Sequence, residues 1–201
     1  MLIGLGLGPG DPELLTLKAV RLLRDADSVF VPGRIAADLV APYRKAEVLD
    51  FPMTEDRAVI ASAMQANAER IGPFAMESTV VLGILGDPSF FSTFGRLRTV
   101  LKDAYPGIVV RTEPGVSSIT AFASAAGVEV AGNLLVSTGR GPHNRLLLKV
   151  RHPKEAADGL RQEGFSRFVL VERMYLEGMR VISGDALPED SDYMSILFAE
   201  R

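Results

Sequence analysis

The chain has 201 residues, 47% of them hydrophobic and 23% charged, with a formal net charge of −3, a balance that suits a globular protein of one large or two small domains. It contains no cysteine, which excludes disulfides, a thiol nucleophile and thiolate metal ligands and makes the cytoplasm the default compartment. No apolar run reaches transmembrane length, the first residues lack the basic flank of a signal peptide, and the charge offers no general reason to expect nucleic acid.

Residues 1–7 are an apolar run that predicts a buried first strand, broken at once by Gly8-Pro9-Gly10-Asp11-Pro12. In α/β proteins such a strand-to-helix loop lies at the carboxyl edge of the sheet, where ligands bind. Glycines at 4, 6, 8 and 10 do not spell G-x-G-x-x-G, and no G-x-x-x-x-G-K-[ST] occurs, so neither nucleotide fingerprint is present. Asp11 would set an anion where a pyrophosphate would sit. The loop is either a ligand loop that is not built for phosphate or a tight turn with no ligand.

An amphipathic pattern predicts a helix over 12–25, carried by Leu14, Leu15, Leu17, Val20, Leu22 and Leu23. A strand follows at 28–31, cut by Pro32-Gly33, and another at 48–51; Thr54, Glu55 and Asp56 then open a helix over 55–71. The β-prone run 79–85 ends in Gly86-Asp87-Pro88 and a helix over 92–104. A strand at 108–112 leads into Pro114-Gly115-Val116-Ser117-Ser118 and an Ala-rich helix over 117–126. Beyond Gly127, residues 134–136, 146–150, 167–172, 179–183 and 194–199 predict strands, with one helix over 153–163. The expected fold is therefore α/β, with a mostly parallel N-terminal sheet over 1–112 and a mixed or antiparallel sheet over 113–201.

Charge is uneven along this pattern. Between Glu129 and Glu155 no acid occurs, whereas Arg140, Arg145, Lys149, Arg151 and Lys154 fall there with both histidines, His143 and His152. Either the stretch attracts anions, or its cations pair with acids from elsewhere. Two histidines without a third ligand do not predict a metal site.

The three loops, in this order and at these separations, resemble the tetrapyrrole methylase family, the S-adenosylmethionine-dependent methyltransferases of cobalamin and sirohaem synthesis. The family pattern G-x-G-P-G-D-P-[ED]-L-L-T-x-[KR]-A is matched from Gly6 to Ala19, the G-D-P motif by Gly86-Asp87-Pro88, and P-G-[VI]-[ST]-[SA] by Pro114 to Ser118. Within the family, Gly86-Asp87-Pro88-Ser89-Phe90-Phe91-Ser92-Thr93-Phe94 and the ending Asp192-Tyr193-Met194-Ser195-Ile196-Leu197 look most like the precorrin-2 or cobalt-factor II C20-methyltransferases. Phe91 stands where those enzymes usually have tyrosine, and the segment between Val136 and Leu146 is short for the family.

The resemblance implies two α/β lobes with a cleft between them, a homodimer, and S-adenosylmethionine as methyl donor. Carried over by position, the cofactor contacts are Pro9, Leu85, Gly86, Asp87, Phe90, Ser117, Ser118, Val150 and Met174. Asp87 is read as a ligand or as an N-cap, Ser117 and Ser118 as ligands or caps, and Phe90, Phe91 and Phe94 as core or as contacts to a flat ring. The implied substrate carries a rim of carboxylates, for which Arg34, Arg140, Arg145 and Arg151 are candidate partners, with Phe91 beside the ring. Neither a covalent nucleophile nor a base is identified. The motifs leave open a relative acting at another ring position, a diphthine-synthase-like or ribosomal-RNA methyltransferase, and a non-catalytic module binding S-adenosylmethionine or a tetrapyrrole.

Overall fold

The computed structural model describes residues 1–134, 136 and 143–201, which form two compact units, Met1–Gly132 and Asn133–Arg201. The first unit is built on five parallel strands: β1 (Leu2–Gly6), β2 (Ser28–Val31), β3 (Glu47–Val48), β4 (Val80–Ile84) and β5 (Val110–Glu113), in the order β3-β2-β4-β1-β5. Its helices are α1 (Leu17–Asp25), α2 (Arg34–Val40), α3 (Arg57–Glu77), α4 (Phe94–Ala104) and α5 (Ser118–Ala126).

The apolar runs of β1, β2 and β4 reflect burial on both faces. Alternation sends Leu2, Phe30, Val80 and Leu82 into one core with Met64 and Ile71 of α3 and Leu97 and Leu101 of α4. Ile3, Leu5, Val29, Val31 and Val81 enter the opposite core with Ala19 and Leu23 of α1 and Leu39 of α2. The chain leaves β1 through α1 toward β2, whereas β4 leads through α4 to β5 on the other side of β1. Because α1 packs into one core and α4 into the other, the chain leaves the adjacent strands β1 and β4 toward opposite faces of the sheet, from the carboxyl edge where such sheets bind ligands.

Several expectations shift. The helix expected over 12–25 is broken: Pro12–Leu14 is a single 3-10 turn capped by Asp11, and α1 starts afresh where the Thr16 hydroxyl accepts from the Ala19 N–H at 3.0 Å. Leu17, placed inward by the pattern, is exposed. Helix α2 follows Pro32-Gly33 directly, where only a break in the strand is expected. The division expected after residue 112 falls inside β5, which pairs with β1 from Leu2↔Val110 to Leu5↔Glu113.

The second unit is wholly antiparallel: β6 (Asn144–Leu148), β7 (Arg167–Glu172), β8 (Arg180–Ser183) and β9 (Ser195–Glu200) in the order β6-β9-β7-β8. Helix α6 (Pro153–Gln162) covers one face, packing Ala157 and Leu160 with Phe168, Leu170, Leu197 and Ala199. The strand expected at 134–136 includes Leu135, which lies outside the described residues.

Candidate active site

The three Gly/Pro loops of the first unit meet at the carboxyl ends of β4, β1 and β5. Gly8 and Gly86 pair across loops one and two, the Gly86 N–H donating to Gly8 O at 2.7 Å and the Gly8 N–H to Gly86 O at 3.3 Å. Loop three is pressed against both. A Cβ on Gly6 would lie 2.2 Å from the Gly115 nitrogen, and one on Gly115 would lie 2.5 Å from Gly86 O. At Gly6 and Gly115, therefore, the backbone approached closely is the chain's own.

Asp87 joins the same junction. Its Oδ1 accepts from the Ser89 N–H at 2.8 Å and its Oδ2 from the Gly115 N–H at 3.1 Å, with 9% of the residue exposed. One oxygen closes an Asx turn after Gly86, and the other ties loop two to loop three. It does not cap α4, whose N-cap is Thr93. Each oxygen keeps a second lone pair for a further donor.

Around this junction the expected residues separate by role. Ser117 caps α5 by accepting from the Ile119 N–H at 3.2 Å. Ser118 instead lines an open, mainly apolar groove of about 560 Å³ with Pro9, Leu14, Val116, Ala121 and Phe122. Leu85 and Phe90 are exposed, and Phe91, at φ 49°, is 66% exposed. Phe94 goes into the core, its ring filling the space above Gly4. Lys18 of the first motif pairs with buried Glu113 at the end of β5 at 2.5 Å. Arg34 is exposed on the first turn of α2, after β2.

Val150 and Met174 lie in the second unit, just past the ends of β6 and β7. Both strands close the same way: Lys149 (φ 58°) precedes Val150, and Arg173 (φ 50°) precedes Met174. Val150 turns into the core, its carbonyl accepting from the Ser195 hydroxyl at 2.5 Å, whereas Met174 is exposed. Left-handed backbone at non-glycine residues costs free energy and concentrates at functional sites.

The basic interval resolves into two kinds of cation. Arg145 pairs with Glu163 at 2.6 Å and lies over the Phe165 ring, so it holds β6 to the end of α6. His152 pairs with Asp190 at 2.9 Å, and Lys154 pairs with Glu189. Lys149 and Arg151 face Tyr193, their charged groups 5.2 and 5.6 Å from the ring centroid. Arg140 lies outside the described residues. Among the described residues no three His, Cys, Asp or Glu side chains gather as metal ligands would.

The family model of the tetrapyrrole (corrin/porphyrin) methylases matches residues 1–173, through all three loops and both strand ends. The chain is a tetrapyrrole methylase. Over 98% of its length it is 28% identical to the probable cobalt-precorrin-2 C(20)-methyltransferase of Methanocaldococcus jannaschii, covering 95% of that protein. It is 32% identical to the precorrin-2 C(20)-methyltransferase of a Sinorhizobium species over 63% of this chain and 58% of that one. The crystal structure of the methyltransferase CobJ shares its fold, with a TM-score of 0.53 at 20% identity over 100% of this chain and 93% of that one.

Two features of this methylase were not legible as spacing. The junction of Gly6, Gly86 and Gly115 joins residues far apart in sequence, and its only sequence signal is the glycine in each motif. The pairing of Lys149 and Arg151 with Tyr193 had a partial signal in the acid-free interval and in the Asp192–Leu197 ending, but no pattern placed the tyrosine beside the two cations.

Proposed function

We propose that the chain transfers a methyl group from S-adenosylmethionine to C20 of precorrin-2 or cobalt-factor II in corrinoid synthesis. What carries the reading is similarity over nearly the whole chain to a probable cobalt-precorrin-2 C(20)-methyltransferase, joined to the Gly86–Phe94 segment that resembles that subfamily.

The residues present suit the cofactor. The loop after β1 has no phosphate-binding pattern and carries Asp11, whose Oδ1 is engaged with the Glu13 N–H at 2.9 Å; a ligand without phosphates fits such a loop. The groove beside Pro9 and Ser118 falls within the usual range of small-molecule sites, roughly 300–1,000 Å³. When bound, S-adenosylmethionine supplies an electrophilic methyl on a sulfonium, so no nucleophilic side chain is required.

The chain's own work is then placement. The glycine junction fixes the three loops, Asp87 holds loop two against loop three, and Pro9 and Ser118 flank the groove. Leu85, Gly86, Phe90, Val150 and Met174 complete the proposed cofactor contacts, and Phe90 and Phe91 offer exposed aromatic faces to a flat ring. Holding a ring carbon in line with the methyl and excluding water supplies rate without a covalent intermediate. The reading includes a homodimer and a cytoplasmic setting. No described helix is long and apolar enough to cross a membrane.

Mass spectrometry after incubation with S-adenosylmethionine and either metal-free precorrin-2 or cobalt-factor II tests it. Gain of one methyl at C20 is expected, and the preferred ring assigns the branch. Methylation at another carbon moves the chain to another ring position of the same family. Transfer to neither ring, with S-adenosylmethionine bound, overturns the substrate.

A further inference from the structure

We propose that Lys149, Arg151 and Tyr193 form a carboxylate-binding subsite at the shared end of β6 and β9, which takes acidic side chains on the rim of the ring substrate. The proposal rests on the reading of that substrate as a polycarboxylate tetrapyrrole.

The acids nearest in sequence to Tyr193 are already engaged: Glu189 with Lys154, Asp190 with His152, and Asp192 with Arg173 at 3.4 Å. Buried Glu172 accepts from Arg180 and from the Ser191 hydroxyl. Lys149 and Arg151 have no carboxylate within ion-pair distance among the described residues. Two cations therefore share one aromatic ring, and an incoming carboxylate would relieve their mutual repulsion.

The backbone beneath the two cations is fixed. The Lys149 N–H donates to Ser195 O, the Ser191 N–H to Arg151 O, and the Arg173 N–H to Met194 O, each at 2.8 Å. The Met194 N–H closes an Asx turn on Asp192 Oδ1 at 2.8 Å. The segment carrying Tyr193 is thus pinned on both sides, although the three side chains are exposed. Tyr193 also raises the Lys149 pKa above its ordinary value.

Lys149 itself is in a left-handed conformation. At φ 58° glycine would be the unstrained choice. Arg173, in the matching position, gains from its strain a bond to Glu177 O at 2.8 Å and the Asp192 pair. Among the described residues Lys149 has no such partner beyond Tyr193, which leaves its ammonium available to a group from outside the chain.

The test measures steady-state methylation of precorrin-2 and cobalt-factor II, with ring binding followed by absorbance titration without S-adenosylmethionine. Lys149→Ala and Arg151→Gln are each expected to raise KM and Kd for the ring about three- to tenfold, the range of one charge-assisted contact at an exposed site. The double variant is expected to lose more, with kcat and KM for S-adenosylmethionine nearly unchanged. Lys149→Arg should retain binding. Lys149→Gly should keep or raise Tm while still weakening the ring, which separates binding from a structural role. Unchanged ring KM in the double variant, with the unsubstituted protein active, overturns the subsite and leaves the proposed function standing. An unsubstituted protein that binds neither ring overturns both.

Discussion

At the scale of single residues, the site depends on atoms that are missing. Gly115 touches Gly86 O and Gly6 so closely that a methyl group would meet backbone, which cannot rotate away. Gly115→Ala is therefore expected to cost about 1–3 kcal/mol, as overpacking does, with a lower urea midpoint and weaker S-adenosylmethionine binding by calorimetry. Asp87 invites a sharper question, because a carboxylate in a ligand loop can hold the ligand or hold the loop. Both its oxygens accept backbone N–H groups. Asparagine has a single carbonyl oxygen, so Asp87→Asn should leave one of those donors poorly paired and lower stability by about 1–3 kcal/mol. Cofactor affinity should fall with it. Intact stability with lost affinity would instead make Asp87 purely a ligand. Arg145 shows why residue type alone misleads: it is an arginine in an acid-free stretch, yet its partner Glu163 arrives from beyond α6.

At the scale of elements, most strands and helices were legible, and the exceptions have local causes. The strands at 28–31 and 167–172 fall where their short apolar, β-branched runs place them. Helix α2 was not anticipated because seven residues after a Pro-Gly pair give too few turns for a period to show. Strand β3 has two residues, too few to hold itself, and Arg70 of α3 grips Glu47 through two hydrogen bonds of 2.7 Å. That bond lowers the Glu47 pKa from its ordinary 4.5. A depressed carboxylate contributes stability above its unfolded pKa and loses it as pH falls through the folded one. Glu47→Gln should therefore destabilise the protein modestly at neutral pH, and the difference should shrink at acid pH as the Glu47 carboxyl takes up its proton. Thermal melts of the pair at the two pH values check this, and added salt should narrow the neutral-pH gap.

At the scale of the whole molecule, the proposed homodimer predicts a sedimenting mass twice the 21.7 kDa of the chain. Sedimentation at a single chain mass across micromolar concentrations would remove the dimer from the proposal and leave the family intact. The sequence by itself determined the α/β class, the succession of a mostly parallel sheet and a mixed or antiparallel one, and the family. Each of these is written in local pattern: the period of apolar residues, the Gly/Pro breaks and three contiguous motifs. Tertiary structure alone decided what those motif residues do, because partner choice is non-local. It made Gly6, Gly86 and Gly115 one junction, turned Asp87 into the tie between two loops, sent Phe94 to the core and gave Arg145 to Glu163. It left Lys149 and Arg151 together on Tyr193, a pairing that only the β6–β9 register could bring about.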